Sequence, residues 1–395
     1  MNTFKIIVLV ILSVLLFISL GVLAGGIAID RTILNARFIN VGIEKIDLPA
    51  VIEEMIISEP GVEIPIDIGN ALIKVAASSE GEIKTRIGRA VNELYDYIKG
   101  EENQLNLADL LRRSILVDEI LYAFIDELNI ISPLQEISQE MIDKYAPGEL
   151  KVFADLPSII EKTVQGNELL VKNQLKNVIG GIAEYLTGGQ DSSSAKIDMS
   201  PLIDDLGQSL QDIFVASPPK YLEGSNEQQV IAEFNRLFEQ FASSVPVDID
   251  INEEILGSDF KTEFVQTITD GEIFLGEARH AASVFKTGFI ASIAAVFVLT
   301  IIIMLVHRNT PGTLLNLGIV FAGCGLIVLA SAIICMSLIP QQVFAPYEAQ
   351  SAFTNWSLTL IRSVFDPGII TGIVYSMMGA AMCAVCFLLR RQERY

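Results

Sequence analysis

Apolar positions follow two patterns along this chain. In Ile6–Ala28, Gly288–Val306, Thr313–Leu338 and Gly368–Leu389 they run together without any Asp, Glu, Lys, Arg or His. Each run is long enough to cross roughly 30 Å of hydrocarbon as a helix, the form in which a lone segment satisfies its own backbone hydrogen bonds in lipid. Between the first and second runs apolar residues recur at helical spacing instead, with polar residues on the opposite face. The pattern predicts an all-α membrane protein: four transmembrane helices and a large, mainly helical extracytoplasmic region between helices 1 and 2.

The divisions that follow are an N-terminal anchor over 1–29, a helical region over 30–286, a three-helix membrane region over 287–390 with a loop at 339–367, and a tail over 391–395. The first run is 23 residues long, more than the core of about 7 to 15 of a secretory signal, and reads as an uncleaved anchor. A cleaved signal, suggested by Lys5 before it and Ala24, Gly25 and Gly26 at its end, leaves the later topology unchanged. Basic residues set orientation. Lys5, the turn with His307 and Arg308, and Arg390, Arg391 and Arg394 flank the spans on one side, which reads as cytoplasmic. Both termini are then inside and residues 30–286 outside, at a plasma membrane.

Two helical faces in the outer region are related by a shift of 88 residues. Ile83, Ile87, Ala90, Val91, Leu94 and Ile98 trace a helix that stops at Gly100; Val171, Leu175, Val178, Ile179, Ile182 and Leu186 trace one that stops at Gly188. The shift also pairs Asp67 with Asp155, Lys74 with Lys162, Glu80 with Glu168 and Tyr97 with Tyr185. An internal duplication, about 45–130 and 131–216, is the expectation, each unit packing a helical face against the other. Asp47, Asp155 and Ser200, each close to a proline, mark helix starts. Between Asp259 and Lys286 the helical pattern can run on into the second span, with Gly271 and Gly276 as places for a kink.

The net negative charge lies in the outer region: residues 30–286 hold 45 acidic and 21 basic side chains, a balance of −24. Such a surface repels nucleic-acid phosphates, so no nucleic-acid partner is expected, and cations or basic proteins fit it better. Asp248, Asp250, Glu253 and Glu254 form the densest acidic cluster and are calcium candidates, although the glycine turn and terminal glutamate of an EF-hand loop are missing.

The remaining chemistry is sparse. His280 and His307 flank the second span at its two ends, so no zinc site or histidine pair forms within one copy. Cys324, Cys335, Cys383 and Cys386 all lie in the third and fourth spans and read as packing residues. No phosphate loop, nucleophile elbow or dinucleotide fingerprint occurs, and neither a catalytic residue nor a cofactor is expected. Gly368, Gly372, Ser376, Ala380 and Ala384 recur every four residues as a helix-packing stripe. Phe353, Trp356, Leu360 and Phe365 belong to an amphipathic helix at the outer membrane interface.

These features point to a non-enzymatic membrane protein whose outer region binds, senses or supports an envelope assembly together with other membrane or envelope proteins. Two alternatives stay open. The order of one span, a large outer region and three further spans resembles in topology the macrolide-exporter class of ABC permeases, which work with a separate ATPase. Here the turn from His307 to Gly312 lacks a charged coupling helix. The other alternative is an extracytoplasmic enzyme. Oligomeric state is left open by the sequence.

Overall fold

The computed structural model describes all residues except 1–2, 59–65, 115–117, 149–155, 187–194, 252–259, 308–309, 345–351 and 393–395. Its helices are α1 (Thr3–Arg31), α2 (Ala36–Glu44), α3 (Leu48–Ser58), α4 (Ile66–Ser78), α5 (Glu80–Lys99), α6 (Leu107–Ser114), α7 (Asp118–Glu127), α8 (Ile131–Tyr145) and α9 (Leu156–Leu186). Then come α10 (Ser200–Ala216), α11 (Glu227–Ala242), α12 (Phe260–His307), α13 (Thr310–Phe344), α14 (Ala352–Val364) and α15 (Asp366–Gln392). Strands β1 (Ala195–Asp198) and β2 (Asp248–Ile251) pair antiparallel, Ile197 opposite Ile249.

Four helices, carried by α1, α12, α13 and the segment ending in α15, are long and apolar enough to cross a membrane. The helical pattern entering the second run does continue: α12 is a single helix of 48 residues, about 72 Å at 1.5 Å per residue.

The chain forms two compact units. One comprises Met1–Ile57, Gly81–Asn106 and Asp270–Tyr395; the other comprises Ser58–Glu80 and Leu107–Thr269. Residues 30–286, continuous in sequence, therefore contribute to both. The first unit has 16 acidic and 15 basic residues, a net charge of −1, and the second 32 and 12, a net charge of −20.

In the second unit α8 to α11 enclose a water-excluding core. Leu202, Leu206, Leu210 and Phe214 of α10 lie at four-residue spacing and meet Val230, Phe234, Leu237 and Phe241 of α11. Phe214 and Phe234 pack edge to face with centroids 5.4 Å apart, a favoured arrangement of ring quadrupoles. The buried Asn167 of α9 donates to Thr163 O and to Asp205 Oδ2 at 2.8 Å, so its amide is satisfied. Asn226 and Gln229 form a capping box at the start of α11.

The strand pair was not anticipated by the helical periodicity. Gln174 of α9 clasps its end, accepting from Asp198 N at 2.6 Å and donating to Asp198 O at 2.9 Å. Helix starts also differ in detail. Asp47 caps α3 through Ala50 N at 3.1 Å. Ser200 is itself the first residue of α10, and it is Asp198 that accepts from Ser200 N at 2.8 Å. Asp155 lies outside the described residues.

In the first unit α5 ends where glycine permits a left-handed residue. Gly100 has φ +78, its amide donates to Tyr97 O, and the Glu101 amide donates to Asp96 O at 2.8 Å, a Schellman closure. Helix α5 rests on α2 through Asn40 Nδ2 to Asn92 Oδ1 at 2.9 Å and Lys84 Nζ to Glu44 O at 3.1 Å. Tyr95 donates to Ile33 O at 2.9 Å, and burial pushes its hydroxyl pKa above the ordinary range.

Candidate functional site

The long apolar helices pack by close backbone approach. The tightest pair is α13 with α15. A Cβ added to Gly372 would lie 2.8 Å from Leu329 N and 2.9 Å from Gly325 O, and one added to Gly318 would lie 2.9 Å from Gly379 O. Only glycine fits at such crossings. Helix α1 joins them through Leu16 and Leu20, both fully buried, and Ser13 donates to Asn316 Oδ1 at 3.1 Å.

Of the small-residue stripe, Gly368, Gly372 and Ser376 face α13, whereas Ala380 and Ala384 are exposed. Residues four apart advance by roughly 40° beyond a full turn at each step, so a strict four-residue stripe winds off a straight seam. Beyond Ser376 the contact passes to Gly379, Cys383 and Cys386. Gly318 and Gly325 of α13 and Gly372 and Gly379 of α15 are each seven apart; that matched spacing was the signal in the sequence for the true seam. Cys386 Sγ donates to Pro311 O at 2.9 Å, and Cys383 lies against Gly318.

A second arrangement forms beside the C-terminal end of α1 and the N-terminal end of α15. Helix α14, expected as an interfacial helix, packs on α2. Trp356 Nε1 donates to Gly42 O at 2.7 Å, and a Cβ on Gly42 would sit 2.8 Å from Leu360 Cδ1. Of the four residues expected at the interface, Trp356 and Leu360 thus turn toward α2. Phe353 stays 49% exposed with its ring 5.7 Å from that of Trp356. Phe365 is the single turn residue between α14 and α15. The Phe353 amide, at the open N-terminus of α14, donates to Glu54 Oε2 of α3 at 3.4 Å. Between α2 and α14 runs a groove of about 350 Å³ walled by Phe38, Val41, Trp356, Thr359 and Leu360, with Lys45 at its edge. Its α2 wall was missed because α2, although amphipathic, has only nine residues and does not stand out beside the longer helices.

The acidic candidates do not converge in the described part. Asp248 is exposed and lies 3.9 Å from Lys196 Nζ. Asp250 is opposite Lys196 in the strand register, and Glu253 and Glu254 lie outside the described residues. Among the described residues no group of three His, Cys, Asp or Glu is gathered as for a metal ion. His280 is exposed on α12, and His307 lies against Gly312, 27 residues or about 40 Å further along.

Helix α12 carries two cations onto tyrosine rings. Arg279 lies 4.8 Å from the centroid of Tyr97 and donates to Asn103 O and Asn103 Oδ1, both at 3.2 Å. Lys261 Nζ lies 3.9 Å from the centroid of Tyr185. Both geometries fall within cation–π range.

No family model, curated protein or solved structure matches this chain.

Proposed function

We propose that this chain is a multi-pass plasma-membrane protein that displays an acidic helical unit outside the cytoplasm as a non-enzymatic binding or envelope-assembly module. The observation that carries this reading is the partition of charge: −20 on one unit and −1 on the unit that holds the long apolar helices. A unit so charged attracts cationic segments of partner proteins and is kept from anionic lipid headgroups. The basic residues Lys5, Arg308, Arg390, Arg391 and Arg394 flank the ends of the spans that belong inside by the distribution of Lys and Arg. Helix α12, unbroken from Phe260 to His307, links the acidic sequence to a span.

An internal duplication is part of this proposal. Tyr97 and Tyr185, equivalent under the 88-residue shift, each hold a cation of α12, and Arg279 and Lys261 are 18 residues apart, five helical turns. The permease alternative has less support, because α12 ends two residues before α13 begins, which leaves no room there for a helix that engages an ATPase.

Sidedness is tested by protease added to right-side-out vesicles. Cleavage is expected within 107–250, with α12 to α15 retained in the membrane; a chain cut there only in inverted vesicles overturns the proposal. Cross-linking in intact membranes at low salt should capture basic partners on the acidic unit. Their capture should fall as salt approaches 1 M, where the Debye length is about 3 Å.

A further inference from the structure

We propose that the groove between α2 and α14 binds one membrane phospholipid, an acyl chain lying along Phe38, Val41 and Leu360 and the phosphate at Lys45. The inference rests on the reading of α1 and α15 as membrane spans. Helix α1 ends at Arg31 and α2 begins at Ala36, so the four residues between them reach at most about 14 Å. Helix α14 is separated from α15 by Phe365 alone. Both walls of the groove are therefore held at the bilayer surface by the chain itself, where the most concentrated apolar ligand is lipid.

The lining has the chemistry of an acyl-chain site. At about 350 Å³ the groove falls in the range of roughly 300 to 1,000 Å³ that holds small ligands. The Trp356 N–H is already taken by Gly42 O, so its ring presents only apolar surface. The Thr359 and Ser363 hydroxyls each donate at 2.9 Å to carbonyls of their own helix, so Asn355 is the one lining amide that could serve the row of backbone hydrogen bonds an extended segment would require. At the edge, Asp47 is engaged in capping α3 at 3.1 Å. Lys45 is exposed and makes no ion pair among the described residues. One ammonium beside an apolar trough matches a lipid phosphate joined to its acyl chain.

The test uses the full chain reconstituted in phosphatidylcholine vesicles containing photoactivatable phosphatidylglycerol, with cross-links mapped by peptide mass spectrometry. Labelling of Phe38–Lys45 and Asn355–Ser363 is expected to exceed that of Phe387 and Leu388, which are more than 60% exposed on α15 and report ordinary lipid contact. Lys45→Gln should lower groove labelling about fivefold, the effect of one basic residue at a lipid surface, and leave Phe387 and Leu388 unchanged. Val41→Trp, which fills the trough at an exposed position, should do the same without lowering the melting temperature. Groove labelling no higher than at Phe387 and Leu388, displacement by soluble glycerol phosphate, or replacement of lipid adducts by cross-links between two copies would each overturn the proposal. Absence of labelling at Phe387 and Leu388 as well would remove the bilayer reading itself.

Discussion

The two units, both helical, differ in where their large apolar side chains lie. In the second unit large apolar side chains, Phe214, Phe234 and Phe241, are fully buried and the surface carries the charge. In the first, the closest approaches between α13 and α15 are at glycines, with Phe321 and Tyr375 packed edge to face beside them, while Phe297, Leu305 and Phe387 are each 68% exposed. Burial of apolar area drives association only where the alternative is water. Where the alternative is lipid, van der Waals contact between closely approaching backbones takes its place. On the proposed membrane reading the chain meets two solvents, and that difference can be broken unit by unit.

The largest effect is expected at the aromatic core. Phe234→Ala should destabilise the second unit by about 3 to 5 kcal/mol, the usual cost of removing a buried ring and leaving its cavity. Phe387→Ala, a change of the same chemistry on an exposed face of α15, should stay within about 0.5 kcal/mol. Pulse proteolysis of the detergent-solubilised chain, with fragments assigned to each unit, measures both. Equal losses would mean that α15 buries Phe387 against something in the native state and that its outer face is not lipid-facing.

Next in size is the glycine seam. Gly372→Val should cost about 1 to 3 kcal/mol by forcing α13 and α15 apart, whereas Ala380→Val should be nearly neutral. Unfolding in increasing sodium dodecyl sulfate reads the difference. If Ala380→Val proved the more damaging, the four-residue stripe rather than the seven-residue glycine pairs would be the working interface, and a second copy of the chain would be its partner.

How much of this was legible in the sequence follows from what each pattern encodes. The four apolar runs were plain because an uncharged run of that length has few structural options, and the passage from Phe260 into the second run was visible because no proline interrupts it. The division into two units was hidden. It depends on where α5 settles, and none of its residues is fully buried, so its amphipathic face looks like that of a core helix without saying which core. The strands β1 and β2 were hidden for another reason: four residues each, with Lys196 and Asp198 alternating around Ile197, carry too few positions for a period of two to stand out. In the groove, Trp356 and Leu360 were recognisable as one face of α14. Their seat was not, because it is created by the absence of a side chain at Gly42.

A smaller effect separates the two cation–tyrosine contacts. Arg279→Ala removes a stacked guanidinium and two hydrogen bonds to Asn103, and should raise amide exchange over 100–106 by the equivalent of about 1 to 2 kcal/mol. Lys261→Ala removes a cation–π contact alone and should cost about 0.5 to 1 kcal/mol near Tyr185. Hydrogen exchange on the full chain resolves both segments. Equal protection changes would show that the Asn103 hydrogen bonds add nothing, and the two contacts would then be equal in strength.

The smallest expected effect is on pH. Two hydrogen bonds from Ser200 hold the Asp198 carboxyl below its ordinary pKa, and Arg236 does the same for Glu233. A depressed folded-state value means that the stabilisation is complete above the unfolded pKa, near 4, and is lost as pH falls through the folded value. Both groups are exposed, so solvent screening keeps the loss small. The second unit should therefore weaken slightly between about pH 4 and the folded-state pKa. Asp198→Asn, which keeps an acceptor for the Ser200 amide but cannot titrate, should flatten part of that slope. The charge-free runs of α1, α12, α13 and α15 contain no carboxylate, so detergent unfolding of the first unit should show a shallower dependence over the same window. A slope of equal size in both units would place the acid-sensitive contacts in the connections around the spans, and the contrast in solvent would no longer account for the contrast in stability.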